Sequence, residues 1–317
     1  MSTVTENESD PMQEFTLEQL HGITPPPLSP EFRTFWSHRF LCAKSVSTNP
    51  ELIKSDHRHP DFDIFDVQFA STDNLLLGGW WATPRKQRIR RAIVVGHGYG
   101  GRDSPDFRLG LSETAFLFPC CRGISRSRSP EIPESSDQHV LHGIESPDTY
   151  VIGGCVEDLW CSVSAIESLC PEVTGRIGFM GISFSGGLGA LAIPWDHRIS
   201  RAHLNVPTFG NMPLRLELPT LGSAASIQNH AKKHPDLIET LRYFDAASAA
   251  SLSTIPIHVA AALVDPVVAP PTQFSIFNAI RSDKRLFVLD AGHLDYPRAH
   301  EQEKELLDQL REFFLKL

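Results

Sequence analysis

The stretch Arg176-Ile-Gly-Phe-Met-Gly-Ile-Ser-Phe-Ser-Gly-Gly-Leu-Gly-Ala190 decides how the rest of the chain is read. It begins with a short apolar run of strand type, Ile177 to Met180, and ends in a Gly/Ala-rich run of helix type. Ser183 stands between them, two residues after Gly181. This is the pattern of a sharp strand-to-helix turn that presents a serine hydroxyl above a sheet. Strand and helix pass close together in such a turn, so the positions two before and two after the serine must be small. The usual pattern is Gly-x-Ser-x-Gly, and Ser185 here takes the fifth place. A second register is open, with Ser185 as the presented residue and Gly187 fifth. Ser183 is preferred, because Gly181 then follows the strand directly and Ser185, Gly186 and Gly187 open the helix.

Outward from this turn, short apolar runs alternate with helical patterns. Ala92–Gly96, Thr114–Cys120, Arg201–Val206, Ile257–Val264 and Arg285–Leu289 read as strands. Asp148–Leu169, Gln273–Ile280 and Arg298–Leu315 read as helices. The alternation predicts an α/β fold with a mostly parallel sheet covered by helices on both faces. Before it, Asp61–Ala70 and Asn74–Thr83 predict an antiparallel strand pair. Phe32, Phe35, Trp36 and Phe40 lie on one side of a helix over Glu31–Ala43. The polar, acidic start and the Pro25-Pro26-Pro27 segment predict a flexible N-terminal extension over residues 1–30, ahead of a single domain at 31–317. Residues 125–147 and 208–250 read as insertions, the first a long loop, the second mainly helical from Ser226 to Phe244 with an interruption at His234-Pro235, and suited to a lid or a subunit contact. His139 and His142 are expected at that loop's surface, and His57-Arg58-His59 in a solvated loop.

In such a sheet, functional residues gather at the carboxyl ends of the strands. Ser183, Asp265 and His293 each follow a predicted strand closely. A serine hydroxyl is a poor nucleophile at neutral pH. It needs a base within reach, and the base needs an acceptor that fixes its tautomer and stabilises its cation. The order Ser183, Asp265, His293 is the one used by α/β-hydrolases. Asp290 and Asp295 are rival acids, but Asp290 ends the strand that carries His293 and is badly placed to face its ring. His97-Gly98-Tyr99 after an early strand predicts an oxyanion donor at the Tyr99 backbone amide, with the Phe184 amide as the second. His97 itself reads as a buried structural histidine.

Composition narrows the classes. Hydrophobic residues are 41% and charged residues 21%, as in a globular enzyme. A net charge of −9 argues against nucleic-acid binding, and the basic run Arg85–Arg91 reads as a solvated turn. No apolar run is long enough to cross a bilayer. The first residues lack a secretory pattern and the six cysteines include no Cys-x-x-Cys pair, which predicts a cytoplasmic enzyme with reduced thiols.

With these residues in view, the chain resembles the acetyl xylan esterase and cephalosporin C deacetylase family from about residue 30 onward. The resemblance rests on His97-Gly98-Tyr99, Arg122-Gly123, Arg176-Ile-Gly178 with Gly181-Ile-Ser183, Tyr243-Phe244-Asp245, Asp265-Pro-Val-Val-Ala-Pro-Pro271 and Gly292-His293. It implies the α/β-hydrolase fold, removal of short acyl groups from sugars or other alcohols, no metal or cofactor, and a homohexamer. The chain departs from the family at Ile124, at Phe184-Ser185 and at Leu294, where the family has Gln, Gln-Gly and Glu. A general carboxylesterase, a peptidase of the same fold, and a non-catalytic relative acting as a binding protein are the competing readings.

Overall fold

The strand of the elbow lies in the middle of a nine-stranded sheet ordered β1-β2-β3-β5-β4-β6-β7-β8-β9. The computed structural model describes residues 15–317. The strands are β1 (Glu51–Lys54), β2 (Phe62–Ala70), β3 (Leu76–Pro84), β4 (Arg91–Gly96), β5 (Thr114–Pro119), β6 (Ile177–Ile182), β7 (Ile199–Asn205), β8 (Ile257–Val264) and β9 (Lys284–Ala291). The strands from β5 to β9 in that order pair in parallel, and β1, β2 and β3 form an antiparallel flank. Every residue of β4 is buried, because both faces of the sheet are covered. Ala92 and Val94 pack into one core and Ile93 and Val95 into the other.

The helices are α1 (Leu17–His21), α2 (Phe32–Lys44), α3 (Ser136–His139), α4 (Val151–Leu169), α5 (Phe184–Ala192), α6 (Met212–Glu217), α7 (Ser223–Ala231), α8 (Leu237–Leu241), α9 (Ala246–Ala250), α10 (Pro270–Ala279) and α11 (Ala299–Phe314). Helices α2, α4, α5, α9 and α10 cover one face. Helix α11 covers the other, where Phe313 and Phe314 join Phe116 and Phe118. The fold therefore places the carboxyl ends of β4, β6, β8 and β9 along one rim.

Two expectations are corrected here, and one strand is added. The N-terminal extension is not flexible through residue 30: α1 opens with a capping box at Thr16, and Leu20 is fully buried. Asn278 Nδ2 donates to the carbonyls of Leu20 and Ile23, and Asn211 Nδ2 to that of Thr24, so backbone that would otherwise face water is bonded to the domain. Residues 1–14 lie outside the described residues. Strand β1 escaped the sequence reading because all four of its residues are exposed at the sheet edge, which erases any period. In the stretch 226–244, α7 and α8 are separated around His234-Pro235, the interruption expected from the sequence. His139 is not at the loop surface but fully buried, bonded on both ring nitrogens as described below.

Beneath the rim, His203 on β7 and His258 on β8 are buried side by side, with their Nδ1 atoms 3.2 Å apart. Burial holds His203 well below the ordinary histidine range and His258 down to about 4. Unfolded histidines take protons near pH 6.5. The folded chain therefore binds fewer protons than the unfolded one between about 6.5 and 4, and stability falls as pH drops through that window. Asp245, pushed up to about 6 by burial, has the opposite sign and offsets roughly one histidine. His258→Gln is expected to flatten the fall by about 2–3 kcal/mol at pH 4.5, read from urea midpoints at pH 7 and 4.5.

Candidate active site

Ser183 sits between β6 and α5 with φ 53° and ψ −106°, a region that costs a non-glycine residue about 1–3 kcal/mol. The turn is held by the Ser183 amide donating to the Asn205 carbonyl at 2.8 Å, and by the Thr208 and Gly187 amides donating to the Ser183 carbonyl at 3.1 and 3.0 Å. Gly181 is required here, since a Cβ on it would lie 2.5 Å from the Ser185 carbonyl oxygen. Ser185, the presented residue of the rival register, stands differently. Ser185 is fully buried, and both its amide and its Oγ donate to the His97 carbonyl, at 3.2 and 2.6 Å. Its hydroxyl is spent on tying the elbow to the loop after β4.

His293 follows β9, and its ring bridges the other two residues. Nε2 lies 2.8 Å from Ser183 Oγ, and Nδ1 lies 2.7 Å from Asp265 Oδ2. The imidazole side chain is 21% exposed, whereas the Asp265 carboxylate is sealed. Asp265 Oδ1 accepts from the amides of Val267 and Val268, each at 2.9 Å. Gly292 is also dictated by packing, because a Cβ there would strike Asp265 Oδ2. The rival Asp290 is bound to Gln302 and Arg298 beside α11 instead.

The third group on Asp265 was not singled out from the sequence. Gln273, fully buried on α10, donates from Nε2 to Asp265 Oδ2 at 2.9 Å and to the Val268 carbonyl at 2.6 Å. Its Oε1 accepts from the Ala262 amide at 2.9 Å. A lone glutamine in a helix gives no sequence signal; only its distance from Asp265 reveals it. Gln273→Met is expected to lower kcat roughly 10–100-fold with little change in KM, the value of a hydrogen bond to a charged group.

The two proposed backbone donors belong to the elbow itself and to the loop packed beside it. Among the described residues, the amides of Tyr99 and Phe184 donate to no other group. The loop of Tyr99 lies close to the elbow, with Gly98 facing Ser183. The Phe184 side chain is fully buried and stacks on the Tyr99 ring at 4.1 Å between centroids. The phenyl ring thus replaces the family's glutamine without touching the backbone donor. The Tyr99 hydroxyl donates to His139 Nδ1 at 2.9 Å, and His139 Nε2 donates to the Arg122 carbonyl at 3.0 Å. His97 is the expected structural histidine. Its Nδ1 donates to the Gly98 carbonyl at 2.7 Å, its Nε2 accepts from the Cys121 amide at 3.0 Å, and burial pulls its pKa down to about 4.

A parallel sheet with its serine on a strained strand–helix turn and an imidazole spanning serine and carboxylate defines an α/β-hydrolase. The family model for acetyl xylan esterase (AXE1) matches residues 11–311, and the chain belongs to that family. It is a carboxylic-ester hydrolase acting on acetyl esters. The fold is shared with acetyl xylan esterase 1 from Thermoanaerobacterium sp. JW/SL YS485, at 18% identity and TM-score 0.82, covering 96% of this chain and 99% of that one. It is also shared with an acetyl xylan esterase from Paenibacillus sp. R4, at 22% identity and TM-score 0.79, covering 93% and 99%. The acylaminoacyl peptidase of Pyrococcus horikoshii is more distant, at 16% identity and TM-score 0.61, with 80% of this chain matching 41% of that one. Among the described residues, no helix is long and apolar enough to cross a membrane.

Proposed function

We propose that Ser183, His293 and Asp265 form the catalytic triad of an esterase that removes short acyl groups, chiefly acetyl, from sugars or related alcohols. The observation that carries this reading is the unbroken chain from Ser183 Oγ through both ring nitrogens of His293 to Asp265, at 2.8 and 2.7 Å. His293 takes the Ser183 proton as Oγ attacks the ester carbonyl, and Asp265 stabilises the resulting imidazolium. The amides of Tyr99 and Phe184 bind the oxyanion. The imidazolium returns the proton to the leaving alcohol, leaving an acyl-enzyme. Water then attacks the acyl carbon, giving its proton to His293, and the acid departs as Ser183 is restored. The donors at Tyr99 and Phe184 lie on backbone, so the family's substituted side chain at 184 does not remove them.

Rates on 4-nitrophenyl esters of rising chain length, alongside an acetylated sugar, test the reading. A maximum at acetyl with turnover of the sugar acetate supports it. A maximum at long chains, or cleavage of peptides instead, overturns it. The same proposal includes residues 31–317 acting as one domain, a cytoplasmic setting supported by six free cysteines, and a homohexamer by family resemblance. Light scattering of the purified chain tests the last of these.

A further inference from the structure

The insertion at 125–147 brings one buried side chain to the catalytic rim. His139, the last residue of α3, is fully enclosed. Gly123 clears room for it: a Cβ there would lie 3.1 Å from His139 Cδ2. The Arg122 carbonyl can only accept, so the proton of the neutral ring is on Nε2 and Nδ1 is left as an acceptor. Burial holds the ring below the ordinary histidine range, which keeps it neutral. Nδ1 therefore takes the bond from the Tyr99 hydroxyl at 2.9 Å. The imidazole also stands nearly perpendicular to both rings of the stacked pair, 5.4 Å from Tyr99 and 6.1 Å from Phe184 between centroids. Among the described residues, its ring bonds go only to Tyr99 and Arg122.

The two stacked rings belong to the residues whose amides are the proposed oxyanion donors. The Phe184 amide opens the first turn of α5, and the helix fixes its direction. The Tyr99 amide has no such frame. It lies in Gly98-Tyr99-Gly100-Gly101, where the space beside Gly100 is empty and Gly101 has φ 72°. Backbone between glycines is permissive. The loop is pinned at its two ends, by Ser185 Oγ on the His97 carbonyl and by the Arg102 amide on Ser125 Oγ. Between those ends the Gly101 amide closes a turn onto the Gly98 carbonyl at 3.0 Å. What ties that turn down on the elbow is the Tyr99 side chain, through its stack on Phe184 and its bond to His139. An oxyanion donor acts only when its N–H meets the place where the charge develops, so a small rotation of this turn weakens the transition state more than the bound ester.

We propose that His139 is a positioning residue of the oxyanion site: through the Tyr99 hydroxyl it sets the direction of the Tyr99 amide. This rests on the esterase reading above. Tyr99→Phe removes one oxygen and leaves both the amide and the ring stack. With 4-nitrophenyl acetate, well below the melting temperature, kcat is expected to fall roughly 10-fold with KM unchanged, short of the about 10²–10³-fold loss of a whole donor. A trifluoromethyl ketone reports on the same site without turnover. Ser183 Oγ adds to its carbonyl carbon, the hydroxyl proton passes to His293, and the former carbonyl oxygen takes the negative charge toward the two amides. Its dissociation constant, read by fluorine NMR, should rise by about the factor by which kcat/KM falls. His139→Leu should cost at least as much as Tyr99→Phe, and the double variant no more than His139→Leu alone, since both remove the same bond. Wild-type kcat and ketone affinity in Tyr99→Phe overturn the proposal. So does a loss of kcat with ketone affinity unchanged, which a merely structural bond would give, and so does a double variant whose loss is the product of the two single losses. If His139→Leu folds poorly, Tyr99→Phe alone decides. If the wild-type chain does not turn over 4-nitrophenyl acetate, the esterase reading fails and the ketone comparison still decides the role of His139. A ketone that binds neither chain overturns both.

Discussion

Ser183→Ala is expected to lower turnover of an acetyl ester by about 10⁶-fold, the loss seen when the nucleophile of such a unit is removed. The residue left behind cannot substitute. Ser185 is two positions away, but its hydroxyl is enclosed and already donates to the His97 carbonyl at 2.6 Å. A fluorophosphonate probe should therefore label the wild-type chain and Ser185→Ala, and fail on Ser183→Ala. Labelling that survives in Ser183→Ala and disappears in Ser185→Ala would reverse the assignment. Asp265→Asn should cost about 10⁴-fold, because an amide on the Nδ1 side favours the wrong imidazole tautomer. The Ser183 variant removes only an oxygen at a strained turn, so stability should hold or rise slightly.

The largest stability loss is expected at Arg122. Its Nη2 and Nε hold Asp158 at 2.8 and 3.1 Å, its amide donates to the same carboxylate at 2.9 Å, and Nη1 reaches Asp73 at 2.8 Å. Asp158 is 1% exposed, so Arg122→Met would leave a buried carboxylate without a cation. Breaking such a pair costs about 3–5 kcal/mol, roughly a 10 °C fall in melting temperature for a chain of this size. Replacing both charges, as in Arg122→Met with Asp158→Leu, should recover most of the loss, since the pair itself is close to neutral against apolar packing. A double variant as unstable as the single one would show that the buried charges are not the cause. Catalysis should also weaken in the single variant, because the Arg122 carbonyl anchors His139, which holds the Tyr99 hydroxyl.

The parallel sheet was readable because its strands are short apolar runs separated by helical periods. Ile257–Val264 matched its predicted ends for this reason. Strand β1 was not readable, since it is paired on one edge only and exposed throughout. His139 was misread because a histidine in an aperiodic segment carries no mark of burial. Its environment is made by Tyr99 and the Arg122 carbonyl, which lie 40 and 17 residues away.

Local sequence alone determined the elbow, the order of Ser183, Asp265 and His293 along the chain, and the family. These depend on local sterics and on strand ends, and both are written in neighbouring residues. Only the tertiary structure sealed Ser185, set His293 against Ser183 and placed Gln273 behind Asp265. Those outcomes depend on which distant side chains reach one another, and hydrogen-bond partners brought together by a sheet crossing leave no trace in the spacing of either residue.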